Sequence, residues 1–116
     1  MKNANDQLRD FTGTTQWFRH PLFGKLYTEG VQHMAETFSA YWFIELVFCH
    51  QLKAKVNAHL FQTWSLRRIV RNQFLAVATD GNDNIISKQI IPFSDFPADE
   101  LTLYFVDNVL LLPSEY

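Results

Sequence analysis

Few residues in this chain are of a type that does chemistry, and their spacing narrows what that chemistry could be. Glu45 is the only charge in the run Ala40-Tyr41-Trp42-Phe43-Ile44-Glu45-Leu46-Val47-Phe48-Cys49-His50-Gln51-Leu52. On a helix it has Tyr41 and Trp42 behind it and Phe48 and Cys49 ahead. A carboxylate buried there would be desolvated, its pKa would rise, and proton transfer would come within reach. The expectation preferred on the residues is structural: Glu45 pairs with Arg19, His20 or a later Arg, or sits at a rim, because buried carboxylates are partnered.

The four histidines, His20, His33, His50 and His59, include no pair at the i, i+4 spacing of a helical zinc site, and His-Glu-x-x-His is absent. No metal is expected, and no cofactor motif is present. Cys49 with a distant His invites a thiolate nucleophile. Inside the most apolar stretch, however, a buried inert thiol is the expectation. Thr12-Gly13-Thr14-Thr15 is short and turn-forming, and its backbone amides could form an anion nest. It has neither the Lys nor the spacing of a phosphate loop, so seating Trp17 is the simpler role. Arg67, Arg68 and Arg71 form the one basic cluster, and Trp64 beside them could stack on a base. Arg67 and Arg68 fall on opposite faces of a strand, which divides the patch and favours a charged, solvated edge.

These residues need elements to position them. The run from Ala40 to Leu52 is apolar nearly all round a helical wheel, so it needs cover on more than one side. Before it, Asn5 to Phe11 reads as a short helix and Gln16 to His20 as extended, ended by Pro21. Thr28 suits an N-cap, with Glu29 in the first turn and Val31, Met34, Ala35 and Phe38 on one face of an amphipathic helix. Ser39 breaks or caps that helix. After Asn57 the period falls to 2: strands are predicted over Phe61 to Arg71, Gln73 to Thr79, Ile85 to Ile91, Leu101 to Val106 and Val109 to Leu112. Turns at Asp80-Gly81-Asn82-Asp83-Asn84 and Asp107-Asn108 join them. The loop Phe93 to Asp99 holds Pro97. The fold class expected is α+β, a single domain over residues 1–116 with N-terminal helices packed on a C-terminal antiparallel meander of four or five strands.

Composition bounds the rest. One core fits in 116 residues, and 47% hydrophobic against 19% charged residues describes a globular chain. Aromatics at 16% exceed what a small domain easily buries, so a homodimer or a protein partner is expected. A net charge of −2 gives nucleic acid little to gain, and nucleic-acid binding is not expected. One cysteine excludes an internal disulfide. No apolar run approaches the ~20 residues of a membrane span, and the polar start lacks a secretion signal, so a cytoplasmic protein with no membrane association is expected.

Three segments carry a resemblance: Phe11-Thr12-Gly13-Thr14-Thr15-Gln16-Trp17-Phe18-Arg19-His20-Pro21, Leu26-Tyr27-Thr28-Glu29-Gly30-Val31, and Val109-Leu110-Leu111-Leu112-Pro113-Ser114-Glu115-Tyr116. Ala40-Tyr41-Trp42, the Asp80-Gly81-Asn82 turn and Asp95-Phe96-Pro97 fit as well. Nearly end to end, the chain resembles a family of small bacterial proteins classed as a domain of unknown function. The resemblance implies no reaction, substrate or cofactor. It marks Thr12, Gly13, Thr14, Trp17, His20, Tyr27, Thr28 and Trp42 as matching positions, and an acid at position 45, which Glu45 satisfies. The chain departs from the pattern at Ser39, where Gly is expected.

Three functions follow as expectations. The first is a non-catalytic binding or interaction domain using Trp17, Phe18, Phe23 and Tyr27. The second is a small enzyme with Glu45 or His20 as acid–base group under the N-terminal loop. The third is a nucleic-acid-associated protein using the Arg67 to Arg71 strand. Thr12, Gly13, Thr14, Trp17, His20, Tyr27, Trp42 and Glu45 are the ligand-contacting candidates, with Trp17 and His20 expected to lie beside Trp42 and Glu45.

Overall fold

The structure is a computed structural model that describes residues 3–11 and 16–116. Thr12, Gly13, Thr14 and Thr15 therefore lie outside the described residues. The elements in chain order are α1 (Ala4–Gln7), β1 (Trp17–Arg19), β2 (Leu26–Thr28), α2 (Glu29–Thr37), α3 (Tyr41–His50), α4 (Ala54–Asn57), β3 (Phe61–Val70), β4 (Gln73–Thr79), β5 (Ile85–Ile91), β6 (Glu100–Val106) and β7 (Val109–Leu111). A 3-10 turn, Pro113–Glu115, ends the chain.

The period-2 reading holds where it was strongest. Along β3, β4 and β6 buried and half-buried residues alternate, so Gln62, Trp64, Leu66, Phe74, Ala76, Ala78, Leu101, Leu103 and Phe105 share one face. That face receives the helices: Phe48 of α3 packs on Phe105, and His50 lies edge-on to Trp64.

The arrangement is α+β, but the sheet is not the expected meander. It has seven strands in the order β1-β2-β7-β6-β3-β4-β5. Only β3, β4 and β5 form a run of sequential neighbours. The chain then crosses back to lay β6 on the other side of β3, with β7 beside it. β7 pairs parallel with β2, which makes the sheet mixed. Two strands thus come from the N-terminal half, and β2, three residues long, is too short to show a period.

β7 covers only the far half of β6, and the amino-terminal segment covers the near half. Asn3 forms a parallel bridge with Glu100, while the Asn5 side chain donates to Thr102 O (2.8 Å) and accepts from Thr102 N (2.6 Å). A side-chain amide thus stands in for a strand partner, and Ala4 and Leu8 enter the core behind it.

The turn between α2 and α3 accounts for Ser39. It sits at φ +54°, the left-handed region, and Ala40 N donates to Ala35 O at 2.8 Å in the closing bond of a Schellman cap. A left-handed position one residue past a helix is where glycine is least strained, which matches the residue expected there. Among the described residues no helix is long and apolar enough to cross a membrane.

Candidate functional site

α3 is the organising element, but it is not covered all round. Phe43, Ile44, Val47, Phe48 and His50 are buried, whereas Tyr41, Glu45, Cys49 and, just past the helix, Leu52 form an open strip. Leu52 is 77% exposed and Tyr41 40%. One expectation falls here and one holds. Cys49 is an exposed thiol and not a buried one, because it falls on the open strip of α3. Glu45 stands at the rim, its side chain 56% exposed, as the structural reading of it expects.

Glu45 does meet His20. Nε2 of His20 lies 4.0 Å from Glu45 Oε1, and the ring packs on Phe23 and Phe48. The other ring nitrogen is occupied: Leu22 N–H donates to His20 Nδ1 at 3.1 Å. A neutral ring that accepts at Nδ1 carries its proton on Nε2, facing the carboxylate. To act as a base, His20 would have to give up its bond from the backbone.

The other described candidates lie on β1, β2 and α3. Trp17 is exposed on β1, opposite Thr28 in the sheet. Tyr27 is half-buried, paired with Leu110 and tilted against Phe18 at 5.7 Å. Tyr41 at the start of α3 has its pKa raised, first by desolvation and then by donating to Glu36 Oε1 at 3.0 Å beside that charge. Trp42 stands one turn before Glu45 on α3 and borders β5 and the loop after it. There a cleft of about 390 Å³ is lined by Trp42, Ile91, Phe93, Ser94 and Asp95. The loop residues Phe93 and Asp95 were not among the candidates. The signal for them is an aromatic and an acid held between Pro92 and Pro97 in a loop, the place where binding residues concentrate.

A larger cleft of about 510 Å³ lies by Arg67, Arg68, Ile69, Val70 and Arg71, and Arg67 and Arg68 are paired within the chain. Arg67 Nε is 3.1 Å from Glu100, and Arg68 Nε is 2.8 Å from Asp99. Arg68 also donates to Phe96 O, Ala98 O and Arg71 O, and lies over the Phe74 ring. Trp64 is fully buried, its Nε1 donating to Gln62 Oε1 at 2.9 Å, so no base can stack on it.

The remaining polar clusters act as scaffold. Gln51 and Gln62 exchange reciprocal amide bonds of 2.8 and 2.9 Å, and Gln62 Nε2 also donates to Val56 O and His59 O. His50 meets Ser87 Oγ and Gln89 Oε1, both at 2.7 Å, with Lys53 Nζ 3.2 Å from its Nδ1; this ties the end of α3 to β5. Among the described residues no group of three or more His, Cys, Asp or Glu side chains could hold a metal.

Two of the resembling segments prove to be one unit. Thr28 Oγ1 donates to Glu115 Oε1 at 2.6 Å and accepts from Val31 N at 3.2 Å, and Leu112 N donates to the same carboxylate oxygen at 2.9 Å. Gly30 makes the space, since a Cβ there would stand 2.7 Å from the carboxylate. That closure engages segments from both ends of the chain, in keeping with a match to the model of a family of unknown function, DUF6876, over residues 2–116. The chain belongs to DUF6876. No curated protein and no solved structure matches it.

Proposed function

We propose that this DUF6876 protein is a non-catalytic binding domain that presents the outer strip of α3 to a partner. The observation that carries the reading is the exposure of apolar side chains along and beside one helix. Tyr41, Cys49 and Leu52 lie open on α3 or just past it, and Leu22 (77% exposed) and Phe93 (70%) project from loops whose neighbours pack beside α3. A helix that met only water would carry charges there, and this one carries Glu45 alone. Trp17 adds an exposed aromatic at the β1 edge.

A second copy of the chain is the first partner to test. Light scattering on protein freed of nucleic acid by nuclease and salt wash should give a dimeric mass. Attaching a bulky maleimide to Cys49, the only thiol, should return it to the monomeric mass. A dimer indifferent to the adduct would remove α3 from the interface. A monomer at every concentration would remove the homodimer and leave the face to a different partner.

The 4.0 Å approach of His20 to Glu45 favours a second reading, an acid–base pair. It is ranked below the first because the lone pair of the neutral ring is already engaged by Leu22 N–H.

A further inference from the structure

The cleft at Trp42 has a chemistry the open strip lacks. Its walls are an indole, a phenyl ring and Ile91, and its one charged lining group is Asp95. Among the described residues Asp95 is exposed and takes part in no ion pair or side-chain hydrogen bond, and no Lys, Arg or His lines the cleft. The backbone around that carboxylate is fixed. Ser94 N donates to Asn72 O at 2.8 Å, and the buried Ser94 hydroxyl accepts from Phe96 N at 3.1 Å.

The two segments that build the cleft are one-sided in charge. Residues 29–51 hold Glu29, Glu36 and Glu45, and residues 89–107 hold Asp95, Asp99, Glu100 and Asp107, with no Lys or Arg in either. Arg67 and Arg68 pair with Glu100 and Asp99, and Arg68 also donates to the carbonyls of Phe96 and Ala98; neither arginine lines the Trp42 cleft, where Asp95 is the charged group. The positive end of α3 opposes this, since Trp42 is in its first turn, but a helix end carries about half a charge against the full charge of Asp95.

We propose that the cleft between Trp42, Phe93 and Asp95 binds an alkylated ammonium cation. The faces of the aromatic rings are negative and attract a diffuse cation, the alkyl groups bury against Ile91, and the carboxylate neutralises the charge. This rests on the reading of α3 as a binding helix and extends it to the adjoining cleft. Two sources share the chemistry, a free small quaternary amine and a methylated lysine side chain of a protein.

The test is an NMR titration followed on the indole N–H signals of Trp17, Trp42 and Trp64. The probes are choline, a short peptide bearing trimethyl-lysine, and 3,3-dimethylbutan-1-ol, which has the shape of choline without its charge. Choline or the peptide should move the Trp42 signal and leave the buried Trp64 unmoved. Asp95→Asn and Phe93→Ala should each weaken binding about fivefold to tenfold. Both positions are exposed, so both variants should fold as the parent does. Binding of choline assigns a free cation; binding of the peptide alone assigns a protein partner. A Trp42 signal unmoved by both cations, or moved equally by the neutral alcohol and unaffected by Asp95→Asn, would overturn the proposal. The Cys49 adduct experiment reads the α3 strip separately, so either inference can fail without the other.

Discussion

The start of α2 and the outside of α3 both carry residues of the resembling segments, yet the two regions are opposite in kind. At α2, Thr28, Val31, Leu112 and Glu115 close on one another in bonds of 2.6 to 3.2 Å, with the carboxylate packed against Gly30. At α3, Tyr41, Glu45, Cys49 and Leu52 look outward, and Trp42 borders a cleft. The first region holds the two ends of the chain together, and its residue types are explained once the contacts are seen. Among the described residues nothing covers the aromatic and aliphatic side chains of the second, and that is the physical argument for a partner.

The contrast can be tested by substitution, from large effects to small. Gly30→Ala should be the most damaging. Its methyl group displaces the Glu115 carboxylate from Thr28 and Leu112, at a cost of about 2 kcal/mol in denaturant unfolding. Adding Glu115→Ala to that variant should cost little more, since the bonds are already lost. A Gly30→Ala protein as stable as the parent would mean that the closure contributes nothing. Ser39→Gly should act in the opposite direction. It relieves a left-handed serine at the α2–α3 turn and should stabilise by about 0.5–1 kcal/mol, after the extra freedom of glycine in the unfolded chain is offset. A fall in the thermal midpoint would show that the Ser39 side chain contributes more than its backbone strain costs. On the outer strip, Leu52→Gln and Cys49→Ser should change stability by no more than about 0.5 kcal/mol while weakening association measured by light scattering. Loss of stability there would place the strip with the scaffold and erase the distinction.

The local features of this protein were legible in its residues. Thr28 capping α2, the alternating faces of β3, β4 and β6, and the turn near Asp80 each depend on neighbours in sequence, through periodicity or side-chain-to-backbone bonds. The meeting of His20 with Glu45 was also expected, because an apolar helix needs cover from the segment before it. Trp17 was expected at the same place and lies on β1, opposite Thr28, whereas Trp42 stands one turn before Glu45 on α3 and borders the cleft beside β5.

What the amino-acid order alone determined, then, is a set of elements and the faces they must bury. Tertiary structure decided which element lies beside which. Backbone hydrogen bonds carry no side-chain signature, so the parallel pairing of β2 with β7 and the return of β6 to β3 left no periodicity to read. Exposure was decided the same way. Cys49 is open and Gln62 is buried, against the ordinary tendency of both residue types. The cause is that Cys49 falls on the open strip of α3, whereas Gln51 and the carbonyls of Val56 and His59 meet the Gln62 amide. Whether an apolar residue becomes core or contact surface depends on what the rest of the chain places against it.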